Sequence, residues 1–405
     1  MHILILNHYA GSPYYGMEYR PYYLAQEWIK LGYEVTIVAA NNSHIRRVNP
    51  EPKGNIWVEN VDGIRYVWIK SRPYGGNGVA RMLNMLDYIR GFKKNIKKFV
   101  ALKPDVVIAS STYPLDNYPA YKLAKKTGAK FIYEVHDLWP LGPQLLGGYS
   151  KFHPFIVVMQ IAENFAYKHV DKVVSILPCA EKHMREHGLK EGKFFHIPNG
   201  IYLPEVQNAE PLSEELVSQL PKNKKIIGYC GTLGIANALH NLIEVARLVK
   251  ESHPDLFFAL VGKGPEKDNL SSLIDKYQLD NIKIYDVIPK KQVQSFLKMN
   301  YINAITWNDS ELYEYGISPN KIFDYMYAGK PIIQAVKAGN DIPRDSGCGI
   351  TCNTKPEDIV ISLEKMLSLS NDELAKMGEN GHKYVLEHHA YEVLAKKFLE
   401  VIDNN

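Results

Sequence analysis

The chain has 405 residues, 46% of them hydrophobic and 23% charged, a composition that excludes disorder and collagen-like repeats and leaves room for two cores. A net charge of only +4 gives no reason to expect a nucleic-acid partner. No apolar run reaches the roughly eighteen residues that a spanning helix needs, and the four cysteines lack metal-ligand spacing and neighbouring histidines, so they read as reduced thiols.

"HILIL", at the start, is apolar and β-branched and predicts a short buried strand ending at Asn7. The segment "MHILILNHYA" is too short, and lacks the basic start, for a signal peptide. After the loop "NHYAGSPYYGMEYRP" a helix is expected from about Glu18 to Leu31, stopped by Gly32, and "YEVTIVAA" is the next strand. This strand–helix–strand unit predicts a parallel sheet with right-handed crossovers. "PDVVIAS", "AKFIYEVHD" and "DKVVSIL" repeat the pattern, and "IWVENVDGIRYVWIK" predicts a hairpin at one edge.

From "FFHIPNG" to "LPKNK" the chain is polar and proline-bearing and reads as a linker. The alternation then restarts with the strands "KIIGYCGTLG", "LFFALVGKGPE", "IKIYDVI", "INAITW" and "KPIIQAV", separated by helical stretches. The expected architecture is α/β: two Rossmann-like doubly wound domains, 1–205 and 206–385, facing across a cleft, with a C-terminal helical segment 386–405 packing back on the first. Ligands of such sheets bind beyond the carboxyl ends of the strands, so the loops there carry the candidate chemistry.

Gly228, Gly231 and Gly234 in "GYCGTLG" follow a strand and precede a helix, and Gly262, Lys263 and Gly264 repeat the arrangement in "VGKGPEK". Such loops admit a ligand to the backbone, and a helix start favours an anion. The spacing is neither GxGxxG nor that of a P-loop. In "YGISPNKIFDYMYAGKP", Pro319 is suited to a helix start with Ser318 as its cap, beside Asn320 and Lys321, and Asp324 follows one turn later. Free amides, a cation and a carboxylate in that order suit the diphosphate and ribose of a sugar nucleotide.

Taken together, "SPNKIFDYMYAGKPII", "YCGTLG", "VGKGPEK", "HIPNG" and "YEVHDLWP" resemble the retaining glycosyltransferases of family 4, which have the GT-B fold. The likeness runs from Met1 to about His389, and it is strongest to bacterial enzymes of the fucosamine-transferase type that build O-antigen or capsule. The resemblance implies a nucleotide-sugar donor, a UDP-sugar favoured, bound by the C-terminal domain. It implies a polyprenyl-diphosphate-linked or oligosaccharide acceptor on the N-terminal domain, with no metal and no separate cofactor. The family motif has two glutamates; Asp324 matches the second, the ribose ligand, while Gly316 matches the first and has no side chain. Where the family has an arginine and a lysine cradling the diphosphate, this chain has Thr232 and Asn237, which leaves Lys321 and Lys263 to supply positive charge.

On this basis the candidate catalytic residues are His136 and Lys321. The donor-binding candidates are Gly16, Gly231, Thr232, Lys263, Ser318, Asn320 and Asp324, and the acceptor-binding candidates are Glu18, Arg20 and Asp137. Glu163 reads as a helix-surface or capping residue. The segment 81–103 places Met82, Leu86, Ile89, Ile96 and Phe99 at helical spacing, with Arg90, Lys94, Lys97 and Lys98 opposite. That pattern predicts a basic amphipathic helix on an anionic membrane surface, hence a cytoplasmic enzyme held at the inner face of the membrane. An epimerase of the same fold, acting on a nucleotide sugar, is the alternative activity.

Overall fold

The computed structural model describes residues 1–76 and 78–404. The chain divides into two units, residues 1–199 with 391–405, and residues 200–390. The division falls at Asn199/Gly200 rather than at 205/206, and the last helix belongs to the first unit.

The first unit is built on an eight-stranded sheet: β1 (His2–Leu6), β2 (Glu34–Ala40), β3 (Ile56–Val61), β4 (Ile64–Ile69), β5 (Val106–Ala109), β6 (Lys130–Val135), β7 (Lys172–Ser175) and β8 (Phe194–His196). Their order is β3-β4-β2-β1-β5-β6-β7-β8, parallel throughout except that β3 runs antiparallel to β4, the expected edge hairpin. The central strands are buried on both faces, which is why β1 and β5 read as continuous apolar runs. Seven helices follow in chain order: α1 (Arg20–Lys30), α2 (Val79–Lys94), α3 (Ile96–Ala101), α4 (Asn117–Thr127), α5 (Leu141–Gly147), α6 (Pro154–His169) and α7 (Glu181–Glu186). α1 ends where Gly32 takes a positive φ of 86°, a value that favours glycine. The C-terminal helix Tyr391–Asp403 lies on α1: Trp28 Nε1 donates to the Ala395 carbonyl at 3.0 Å, and the Tyr23 and Tyr391 rings meet at 4.9 Å. Trp28 is fully buried there, and a large apolar side chain so placed contributes about 1.5–3 kcal/mol.

The second unit carries a six-stranded, all-parallel sheet of β9 (Lys225–Cys230), β10 (Leu256–Val261), β11 (Ile282–Tyr285), β12 (Ile302–Thr306), β13 (Ile332–Ala335) and β14 (Gly349–Cys352), in the order β11-β10-β9-β12-β13-β14. Strand order reverses between β9 and β12, and the glycine loops and the segment before Asp324 follow these strands and β10.

Three expectations need correction. The stretch expected to be a linker contains β8, a short helix Leu203–Val206 and a helix Glu214–Gln219 capped by Ser213, and it buries Ile197, Ile201, Val206, Leu216 and Leu220. Its polar composition hides these apolar anchors. The segment 81–103 is two helices broken at Asn95, and the buried apolar side chains are Met85, Tyr88, Ile89, Phe92 and Phe99. Phe92 and Phe99 stack at 4.2 Å, so the apolar stripe covers its own domain and only the basic side faces out. Glu163 lies inside, with its carboxylate accepting from Gln160 and Tyr167 and lying 3.3 Å from His183 Nε2.

Candidate active site

In the second unit the site starts from Tyr229, next to last in β9. Its hydroxyl donates to the Thr232 carbonyl at 2.7 Å, and Asn237 Nδ2 donates to the same oxygen at 2.9 Å. This closes the loop after the strand and fixes both polar tips. Lys321, in the first turn of the helix Asn320–Tyr327, reaches across: Nζ donates to the Tyr229 hydroxyl at 3.0 Å and to Asn237 Oδ1 at 2.5 Å, 4.8 Å from the Tyr229 ring centroid. Among the described residues no carboxylate pairs with this ammonium. Burial lowers the Lys321 pKa to about 8.

Of the loop glycines, Gly231 fronts this cation, since a Cβ there would lie 3.4 Å from Lys321 Nζ. Gly262 and Gly264 do something else: a Cβ on either would meet the Gly231 or Leu233 carbonyl at 1.9 or 2.1 Å. Leu233 N donates to the Lys263 carbonyl, and Glu266 N to the Leu233 carbonyl. These two glycines therefore let one loop dock on the other. Lys263 projects its side chain into solvent. The residue at the N-cap position is Pro319, with no side-chain cap, and Ser318 is buried one residue earlier; this corrects the expected capping role. Asn320 opens the helix and is exposed. Gly316 has a φ of 95°, where any side chain, a glutamate included, is strained. Asp324 sits one turn after Lys321, and burial pushes its carboxyl up to about 6.

The first unit holds a second ionic group. Arg20, 1% exposed at the start of α1, donates Nε to Glu134 Oε1 at 2.9 Å and its terminal nitrogens to the Ile197 and Pro198 carbonyls and Asn199 Oδ1. At 1% exposure it is enclosed by these groups, and it braces the start of α1 against β6 and the segment 197–199. Glu134 Oε2 takes the Ser110 hydroxyl at 2.6 Å and lies 3.4 Å from His136 Nε2. Ser110 Oγ is also 3.0 Å from His136 Nε2. Burial alone would raise Glu134, but Arg20's charge and the His136 and Ser110 bonds outweigh it and hold the carboxyl down to about 2. Burial likewise opposes the imidazolium of His136, and Glu134 outweighs it, so the pKa ends raised. Asp137 is exposed on the turn that follows, and Glu18 is half-buried with its backbone tied to Tyr9 and Gly11. Gly16, a donor-binding candidate, is enclosed instead: its φ is 99°, and a Cβ would meet Arg47 N at 2.7 Å.

Two carboxylates here escaped the sequence reading. Glu134 lies within a strand, where nothing local signals its pairing with Arg20. Asp116, buried with Oδ2 accepting from Ser111 N, is pushed up to about 7 by burial. For a metal, one group of three among the described residues has suitable atoms: Glu163, His183 and His187, within 4.8 Å of one another.

Residues 15–200 match the family described as Glycosyl transferase 4-like domain, and residues 214–384 match Glycosyl transferases group 1. The chain is 25% identical over 247 residues to the Escherichia coli (strain K12) protein named as the colanic acid biosynthesis glycosyl transferase WcaI; the match spans 58% of this chain and 59% of that one. The fold is shared with sucrose-phosphate synthase from Thermosynechococcus elongatus (TM-score 0.73, 15% identity, 99% of this chain and 98% of that one). It is shared also with Anabaena Alr3699/HepE in complex with UDP and glucose (TM-score 0.67, 14% identity, 99% of both chains). The chain belongs to the glycosyltransferase family of GT-B fold, with a glycosyl transferase 4-like domain followed by a group 1 domain.

Proposed function

We propose that the protein moves a sugar, with retention, from a nucleotide-sugar donor to a lipid-linked or saccharide acceptor in cell-surface polysaccharide assembly, of which O-antigen and capsule are examples. A UDP-sugar is the favoured donor, as a neighbour of the same fold binds UDP and glucose. The likeness to a protein named for colanic acid biosynthesis supports the surface-polysaccharide reading.

The observation that carries this reading is the Lys321 ammonium. It is half-buried, fixed by Tyr229 and Asn237, fronted by Gly231, and carries a charge that no carboxylate among the described residues balances. A diphosphate is the anion that suits it. As the glycosidic bond breaks, negative charge grows on the leaving diphosphate, and a preorganised cation stabilises that charge more than it stabilises the ground state. Lys321 takes this role where the family's arginine and lysine are replaced by Thr232 and Asn237, and Asn237 now holds the lysine in place. Asp324, one turn on, accepts from the ribose hydroxyls. On the acceptor side, His136 is held by Glu134 and Ser110 and attends the reacting sugar. The leaving diphosphate takes the acceptor's proton, so the protein supplies no strong base and no metal.

The test is calorimetric titration with UDP and GDP, each with and without chelator, followed by identification of the product from a panel of UDP-sugars. UDP binding that survives the chelator, with transfer to a saccharide or lipid acceptor, is the expected result. Binding of neither nucleotide, strict dependence on a divalent ion, or release of an epimerised nucleotide sugar without transfer contradicts it.

A further inference from the structure

A buried carboxylate is costly unless a positive charge stands beside it. Glu134 has Arg20 for this. Glu163 is 1% exposed on the inward face of α6, and among the described residues no lysine or arginine pairs with it. Its neighbours are two neutral donors and an imidazole. Gln160 Nε2 donates to Oε2 at 2.8 Å, the Tyr167 hydroxyl donates to Oε1 at 3.1 Å, and His183 Nε2 lies 3.3 Å from Oε1. The glutamine and the tyrosine orient the carboxylate and bring no charge.

His183 and His187 are four residues apart, so both rings stand on one side of the turn that ends α7, with centroids 4.2 Å apart. His187 Nδ1 lies 2.8 Å from the His183 carbonyl. A carbonyl only accepts, so Nδ1 carries the ring hydrogen and Nε2 keeps its lone pair. Metal-ligating histidines are held by this kind of second bond, which fixes the tautomer. One ligand atom from each of Glu163, His183 and His187 falls within 4.8 Å of the others. The 3.3 Å between His183 Nε2 and Glu163 Oε1 is long for a charged hydrogen bond. It matches the edge, about 3.3 Å, of a tetrahedron whose metal bonds are about 2.0–2.1 Å long. His187 is half-buried, which gives an ion a way in from solvent.

We propose that Glu163, His183 and His187 bind a divalent ion of the zinc class, which clips α7 to α6. Two imidazoles and one carboxylate suit zinc and disfavour magnesium and calcium, which take oxygen ligands. The ion replaces the proton between His183 Nε2 and Glu163, that proton leaves to solvent, and the ion's charge supplies what the buried carboxylate lacks. Water entering beside His187 completes four-coordination. The proposal does not rest on the donor reading, since none of the three residues is assigned to transfer.

The test uses the full, tag-free chain, stripped of metal with a chelator and returned to chelator-free buffer, with zinc chloride alone as the probe. Calorimetry should show one zinc ion bound per chain, and the melting temperature should rise with zinc. Magnesium at the same concentration should leave melting unchanged. His187→Ala should lower zinc affinity by at least the roughly 10–100-fold that losing a mere orienting partner costs. Cobalt(II) gives a second readout, a visible absorption that is intense in a tetrahedral site and that His187→Ala should lose. Absence of zinc binding in the wild type, equal zinc affinity in wild type and His187→Ala, or an equal response to magnesium overturns the proposal. UDP affinity is expected to be the same in His187→Ala and wild type. A protein that binds zinc in this way and no nucleotide upholds this site and contradicts the transfer reading alone.

Discussion

The two ionic groups, one in each domain, are built in opposite ways. In the first, the Glu134 carboxylate is surrounded by Arg20, Ser110 and His136, and Arg20 spends its remaining donors on the Ile197 and Pro198 carbonyls and Asn199. Charge and hydrogen bonds close on themselves. In the second, Lys321 has a phenol and an amide for company and, among the described residues, no carboxylate in contact. The environments move the groups accordingly. Glu134 is held down to about 2, so its charged form is favoured, whereas burial pulls Lys321 down to about 8, so its charged form is only just kept at neutral pH. A saturated pair secures the fold; an unbalanced cation fits an anionic ligand.

The sharpest way to break the comparison is to remove one member of each group. Glu134→Ala leaves Arg20 buried without its counter-charge and lowers stability by about 3–5 kcal/mol, read by denaturant unfolding. A loss below about 1 kcal/mol would show that solvent reaches the pair. The same carboxylate predicts an acid limb. Its folded pKa lies below its ordinary 4.5, so its contribution is complete above that value and disappears as pH falls toward 2. Unfolding of the wild type should steepen over that window, and Glu134→Gln should flatten it.

Lys321→Ala is expected to do the reverse: turnover falls about 10²-fold, the scale of losing one preorganised donor, while thermal stability holds or rises, because a poorly compensated charge has gone. His136→Ala should cut transfer with UDP affinity nearly intact, and it is milder on stability than Glu134→Ala because the Arg20–Glu134 pair survives. The smallest effect is that of Asp324→Ala, about tenfold in UDP affinity, with little change in turnover at saturating donor, since a ribose contact is made in the ground and transition states alike. A fall in turnover with unchanged affinity would place Asp324 at the chemistry instead.

The architecture was legible because parallel strands buried on both faces leave continuous apolar runs such as "HILIL" and "LFFALV", and turn glycines punctuate them. Lys321 drew attention because a helix start, a lysine and a carboxylate follow one another in "SPNKIFD"; its reach to Tyr229 and Asn237, 92 and 84 residues away, was not legible. Nor was Glu134: its partner is 114 residues away, and strand periodicity says nothing about which distant cation lies opposite. Gly16 and Gly264 read as ligand-facing because sequence cannot tell a loop that admits a ligand from a loop that admits another loop. In 81–103, the stripe read as Met82, Leu86 and Ile89 shares only Ile89 with the buried Met85, Tyr88, Ile89 and Phe92, because apolar residues on more than one side of α2 fit a helical period and spacing alone does not say which side is inward.

The central claim is that the Lys321 ammonium receives the diphosphate, and it is tested most directly by UDP affinity as a function of pH in the wild type and in Lys321→Arg. The lysine is protonated below about 8 and loses its charge as pH rises through that value, so wild-type affinity should decline across it, with the midpoint moved upward by the bound anion. The arginine stays charged throughout, and its profile should be flat over the same range. Matching declines in both proteins, or no decline in the wild type, would contradict the claim.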